Sequence, residues 1–352
     1  MRVNSVAVTG AAGLVGRHLL PVLAAHPDVD RVLGLDVREP ERRPRRVEFA
    51  RVDIAGTELK PLLEGIDVVV HLAGVVDPVP DVALMARVNV EGTRHVLDAA
   101  ASVGAQRIVR ISSATVYGAW ANNPVPITED AALRPNPDFS PAVQGAEVER
   151  LLAEWRASHP DVCVTTLRSA PVVGPGAERL PARILLGRPP LRVRGAAVPV
   201  QVVHVDDLAS ALALVATRDL PGAYNVAADG WLDADQAREL IPRAAAPALP
   251  AEVLERWLRR TWDLGIGDIP AGIVPYLVHP CVIANDRLRA AGWAPVHGNA
   301  DAITEAIAAL PPRDPRPAIV AGAGGLLLVA GTAVALRRRR QRRSSPPDSG
   351  RG

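Results

Sequence analysis

The chain has little with which to cross-link itself or to bind metal through cysteine. Its 352 residues include two cysteines, Cys163 and Cys281, too few for a disulfide framework and without the paired spacing of a cysteine metal site. Cys163 falls inside an apolar, strand-like run, so both read as buried thiols. Lysine is scarcer still: Lys60 is the only one. Nor does the body carry an excess of positive charge. The formal net charge is +2, but seven arginines and one aspartate give the last 16 residues +6, which leaves −4 for the other 336. Such a body has no basic footprint, so no nucleic-acid partner is expected. Met1-Arg2 runs into the first apolar stretch within a few residues, leaving no room for a signal peptide; synthesis in a reducing cytoplasm is the expectation.

What is present is 48% hydrophobic residues, ample for one large α/β domain or two. The first apolar run, Val6-Ala7-Val8, ends in glycines spaced by three, Gly10, Gly13 and Gly16, and an apolar helical face continues through Leu19, Leu20 and Leu23. A strand that stops in glycines and restarts as a helix suits a pyrophosphate, because backbone N–H groups and the positive end of the helix dipole face the anion. Twenty residues past Gly16 the next run ends in Asp36, where an acid that binds a ribose is expected. Residues 31–36, 47–53, 66–72, 107–112 and 162–167 read as strands, with helices at 81–103 and 142–158 and a polar, Pro-rich loop at 119–141. That alternation predicts a doubly wound parallel sheet with ligands at the carboxyl ends of its strands. After residue 172 the rhythm loosens, and no helix of comparable regularity is read before 251–262. Trp231, Trp257, Trp262 and Tyr276 read either as the lining of a pocket for a ring or as core.

The spacing Gly10-x-x-Gly13-x-x-Gly16 resembles the extended short-chain dehydrogenase/reductases, the NAD-dependent epimerase/dehydratase family. Further matches follow in family order: Asp53-Ile54, His71-Leu72-Ala73-Gly74, Asn89-Val90-Glu91-Gly92-Thr93, Ser112-Ser113-Ala114-Thr115-Val116-Tyr117-Gly118, Leu167-Arg168, Val173-Gly174-Pro175-Gly176, His204-Val205-Asp206-Asp207 and Gly292-Trp293. The resemblance implies a Rossmann fold in residues 1–170 and a smaller substrate lobe in 171–310, with strands 198–203 and 222–226 partly returning to the main sheet. It implies NAD as cofactor, held by Gly10, Gly13, Leu14, Val15, Gly16, Asp36, Asp53, Ile54, Leu72, Ala73, Gly74, Asn89 and Ser112. It also implies a homodimer formed by the two helices that flank the site. Asp36 would repel a 2′-phosphate and so favours NAD over NADP. The turn at His204 implies a helix capped by Asp206 or Asp207 and no metal site.

For catalysis the family pattern supplies a Ser or Thr, here Ser113, and a Tyr-x-x-x-Lys on the following helix. Pro141 and Gly145 stand in place of that tyrosine and lysine, and the chain contains no Tyr-x-x-x-Lys anywhere. A positioned acid/base contributes about 10²- to 10⁴-fold, so another group must substitute or the chemistry is slow. Tyr117, Asp138, Glu147 and His95 are the candidates, each with a plainer reading as a packing or solvated residue.

Beyond a linker at 311–317, residues 318–336 form an uncharged run followed by an arginine-rich tail at 337–352. Nineteen helical residues span roughly 28 Å, about a bilayer's hydrocarbon core. The run reads as a membrane helix that holds the body on the cytoplasmic face, with a core helix or an interfacial segment as the alternatives. Three functions follow: an NAD-dependent epimerase or dehydrogenase acting on a nucleotide sugar or similar hydroxylated small molecule, a membrane-bound relative of the 3β-hydroxysteroid dehydrogenases, or a non-catalytic NAD-binding sensor or assembly partner.

Overall fold

A computed structural model describes residues 4–40, 42, 44–177, 180–186, 191–241 and 248–310. The expected linker, membrane helix and basic tail, 311–352, lie outside the described residues. Among those described, no helix is long and apolar enough to cross a membrane.

In chain order the first part consists of β1 (Ser5–Thr9), α1 (Leu14–Ala25), β2 (Arg31–Asp36), β3 (Val47–Arg51), α2 (Lys60–Leu63), β4 (Val68–His71), α3 (Val82–Ala86), a π-turn at Arg87–Glu91, α4 (Gly92–Ser102), β5 (Arg107–Ser113), α5 (Ser140–Ser158) and β6 (Cys163–Ser169). There follow β7 (Val172–Val173), α6 (Leu180–Leu186), β8 (Val203–His204), α7 (Val205–Thr217), β9 (Gly222–Val226), α8 (Ala234–Leu240), α9 (Ala251–Asp263), α10 (Pro275–Val278), α11 (Asp286–Ala290) and α12 (Asn299–Ala308). Seven strands form one parallel sheet in the order β3-β2-β1-β4-β5-β6-β9. The chain reverses direction across the sheet between β1 and β4, the crevice where open α/β sheets bind ligands.

Both faces of the sheet are covered, which is why its central strands are apolar on both sides. Val6 and Val8 pack with Leu19, Leu20 and Leu23 of α1 and with Leu208 and Leu212 of α7, while Ala7, Val69 and Ile108 pack with Val96 and Leu97 of α4 and Leu152 of α5.

Three expectations need correction. The run 198–203 does not return to the main sheet: Val203, with His204, pairs with β7, Val200 forms an isolated antiparallel bridge with Leu232, and Val200 and Val202 pack beneath α12 residues Ala302, Ile303 and Ala306. The expected helix 81–103 is interrupted by the π-turn. And α7 is a regular helix of 13 residues, capped by the His204 ring rather than by an aspartate: its Nδ1 accepts from the Asp206 N–H at 3.2 Å.

Candidate cofactor and active site

The cradle is built by close backbone approach. Gly10 has φ +72°, and a β-carbon there would lie 2.7 Å from the Ala73 nitrogen; at Gly16 it would lie 2.5 Å from the Gly10 carbonyl oxygen. Only glycine lets β1, the β4 end and α1 meet this closely. Gly13 precedes the first turn of α1, whose end carries no side-chain cap, so N–H groups there are left for an anion. Leu14 and Val15 are half-buried beside it.

Asp36 closes the cradle from β2. One carboxylate oxygen accepts from the Ala12 N–H at 2.9 Å and the other from the Arg38 N–H at 3.0 Å. Each oxygen keeps a lone pair for a ribose hydroxyl, and the carboxylate is held by the glycine turn itself. The sequence reading missed Ala12, whose part is a backbone one. Asp53 is exposed and caps its own turn through the Ala55 N–H, while Ile54 is buried against Gly92.

Beyond β4 the chain is pinned by buried polar groups. Leu72 and Ala73 donate their N–H groups to the Thr9 carbonyl and hydroxyl. His71 bridges Thr9 and Thr93 at 2.7 and 2.9 Å, and burial, aided by the charge of Arg110, holds its imidazole well below the usual pKa. Asn89, on the π-turn, accepts from the Val75 N–H at 2.7 Å and donates to the Val75 carbonyl and to Gln144. The extra residue of a π-turn re-aims a side chain in this way. Gly74 lies against Asn89, and a β-carbon there would be 3.9 Å from an Nη of Arg110. Arg110, on β5, donates to the Ile111 carbonyl, and burial pushes its guanidinium pKa down to about 10.

At the end of β5, Ser113 accepts from both the Thr115 N–H and the Thr115 hydroxyl, at 3.2 and 3.0 Å. Its own hydroxyl proton is therefore free to be donated to a substrate oxygen. Ser112 instead turns inward and donates to Glu149 at 2.6 Å. Glu149 holds Arg168, which reaches the Tyr117 hydroxyl at 2.8 Å, and that hydroxyl donates to Asn225 at 2.8 Å. Burial raises the Tyr117 pKa. Buried and doubly engaged, Tyr117 is unsuited to proton transfer.

Asp138 and His95 are no closer to a role. Asp138 is exposed and pairs with Arg259, and His95 is exposed on α4. Pro141 stands in the first turn of α5, where a missing N–H costs nothing. Gly145 faces Val116. The lobe reaches this region through Tyr276, whose hydroxyl donates to the Thr115 carbonyl at 2.8 Å and whose ring packs on Phe139. Trp231 lies elsewhere, on a cavity of about 280 Å³ beside Gln201 and Arg289.

Gly10, Gly13, Asp36, Ala73 and Ser113 thus lie at the carboxyl ends of adjoining strands. A family-wide sequence profile described as NAD dependent epimerase/dehydratase family matches residues 6–227. The 3-diazoavenalumate denitrifying reductase of Streptomyces sp is 29% identical over 325 residues, 83% of this chain and 96% of that protein. The dTDP-glucose 4,6-dehydratase of Streptomyces griseus is 31% identical over 263 residues, 68% of this chain and 77% of that protein. In structure the chain is similar to the Thermus thermophilus UDP-glucose 4-epimerase solved with NAD, with a TM-score of 0.68 and 24% identity over 87% of this chain and 98% of the epimerase.

Proposed function

We propose, on the premise that this chain belongs to the NAD dependent epimerase/dehydratase family, that it is an oxidoreductase holding NAD in the cradle at residues 10–16. Its substrate in this reading is a nucleotide sugar or similar hydroxylated compound. The observation that carries the cofactor assignment is the Asp36 carboxylate fixed by the Ala12 N–H of the glycine turn, since that arrangement places acceptors for ribose hydroxyls beside an anion cradle. Bound NAD supplies the hydride donor or acceptor. Ser113 would polarise the substrate oxygen with a hydrogen bond, the proton that balances hydride transfer being exchanged with water, and Arg110 contributes positive charge beside Gly74. The likeness to a reductase over nearly its whole length, and to enzymes named for dTDP-glucose and UDP-glucose, supports the reaction and substrate classes.

A second reading, an NAD-binding protein without turnover, is favoured by one observation: Pro141 and Gly145 occupy α5 where the family's tyrosine and lysine are expected, and the Tyr117 hydroxyl is closed off. Attachment to a membrane through residues 318–336 and dimerisation through α4 and α5 belong to the proposal on sequence grounds. The test is a fluorescence titration of the full chain with NADH, followed by a search for deuterium transfer from labelled NADH to nucleotide-sugar ketones. Saturable binding with transfer supports the oxidoreductase. Binding without transfer supports the second reading, and no binding overturns both.

A further inference from the structure

Away from the cradle, where β8 runs into α7, two histidines stack face to face. The rings of His204 and His297 lie 3.9 Å apart at 28°. His204 is completely buried, and its Nε2 has no hydrogen-bond partner. Stranding a ring nitrogen out of water costs free energy unless something binds it. Glu305, from α12, brings a carboxylate oxygen to 3.5 Å from that nitrogen without a hydrogen bond. One ligand atom from each of His204, His297 and Glu305 lies within 4.8 Å of the other two.

Several features match a metal site. Two ligands at the Zn–N and Zn–O bond lengths of a tetrahedral ion are about 3.4 Å apart, close to the observed separation of His204 Nε2 and Glu305. The nitrogen Nδ1 of His297 is 3.0 Å from Asp207 Oδ2, which also accepts from the His297 N–H, while Oδ1 accepts from the Val296 N–H. A carboxylate on the far side of a ligating histidine fixes its ring and leaves Nε2 as the electron-pair donor. Asp207 is itself buried, so it is committed to that task. Glu305 is half exposed, leaving an open side for a water ligand.

We propose that His204, His297 and Glu305 bind a divalent transition-metal ion, Zn²⁺ by the chemistry of the donors, and that the ion fastens α12 to the β8–α7 junction. Occupancy requires two adjustments: the proton of His204 must reside on Nδ1, where the Asp206 carboxylate, now 3.7 Å away, replaces the Asp206 N–H as its partner, and the partly exposed His297 ring must turn out of its stack on His204 so that the two in-plane lone pairs converge. The loop at 174–176 closes over the buried ring: a β-carbon at Gly174 would come 2.8 Å from His204 Nε2. Two imidazoles and a carboxylate suit Zn²⁺ better than Mg²⁺ or Ca²⁺, which prefer all-oxygen shells.

The test strips the full chain with EDTA and titrates Zn²⁺ in competition with a chromophoric chelator. One equivalent should bind, Co²⁺ should give the ligand-field band of a tetrahedral site, and Zn²⁺ should raise the melting temperature. His297→Ala and Glu305→Gln, both at positions with solvent access, should each weaken binding by about 100-fold and abolish the thermal shift, with an unchanged circular dichroism spectrum showing that they fold. His297→Cys should recover part of the affinity. Absence of binding to the wild type, or one equivalent bound with undiminished affinity by both variants, overturns the proposal.

Discussion

Glu149 and Arg168 face each other in buried space beneath Ser112, with one carboxylate oxygen 2.7 Å from Nη2 and 2.9 Å from Nε of the guanidinium. Both side chains are less than a tenth exposed, and each holds a further group at the strand ends, Ser112 and Tyr117 respectively. The pair therefore links α5 to β5 and β6 next to the site.

Removing one partner strands the other. Glu149→Ala should cost about 3–5 kcal/mol of unfolding free energy, as breaking buried pairs does. The double variant Glu149→Leu with Arg168→Met should lose much less, because no uncompensated charge remains. Urea denaturation of the three proteins measures both. A single-variant loss below about 1 kcal/mol would mean that water already solvates the pair.

Asp36→Ala removes the acceptor for two backbone N–H groups and for the ribose hydroxyls. Hydrogen bonds to a charged group are worth about 1.5–3 kcal/mol, so NADH affinity should fall roughly 10- to 100-fold. NADPH should lose less, since the carboxylate that repels a 2′-phosphate is gone. Parallel titrations with the two cofactors decide it; equal losses would place the adenosine ribose away from Asp36.

The parallel sheet was legible because most of its strands are short apolar runs that alternate with helical patterns, and Gly10 and Gly16 sit where backbone approaches too closely for a side chain. The lobe was less so. Residues 198–203 are as apolar as a central strand, yet Val200 and Val202 are apolar because they lie under α12, and burial alone does not say what a strand pairs with. Buried on nearly every face, from Val205 through Leu208, Leu212 and Ala216, α7 shows little of the polar stripe that marks a helix in sequence. Glu149 with Arg168, and His204 with His297 and Glu305, are long-range pairings without a local signature.

His71 ties acid sensitivity to the core. Its pKa is depressed in the folded chain by burial, while the unfolded chain titrates near 6.5. Above that pH neither state holds the proton and the contribution vanishes. As the pH falls below about 6.5 the unfolded state gains a proton that the folded state refuses, so stability drops by up to about 1.4 kcal/mol per pH unit. His71→Gln, compared with wild type by melting temperature between pH 7.5 and pH 5, should show a shallower decline. Parallel profiles would show that His71 takes its proton without unfolding.

The last prediction concerns the pair on α5. Residues 141 and 145 are one helical turn apart and share a face, so Pro141→Tyr with Gly145→Lys would place a hydroxyl and an ammonium together near Ser113. Pro141 is half-buried in the first turn and its replacement regains an N–H that needs no partner there. At Gly145 the new β-carbon meets only a methyl group of Val116, at 3.0 Å, a side chain that can yield by a few tenths of an ångström; Val116→Ala makes the room explicit. If the family's acid/base is what the chain lacks, the double substitution should raise the rate of hydride transfer from NADH to a ketone by about 10²- to 10⁴-fold. That rate should fall as the pH rises and the new tyrosine ionises, because the phenolate has no proton to give. Each single substitution should give far less, because the lysine acts by lowering the tyrosine pKa. A double variant that folds, binds NADH and turns over no faster than wild type would show that the proton is handled by a different group, and would direct attention to Ser113 and the charge of Arg110.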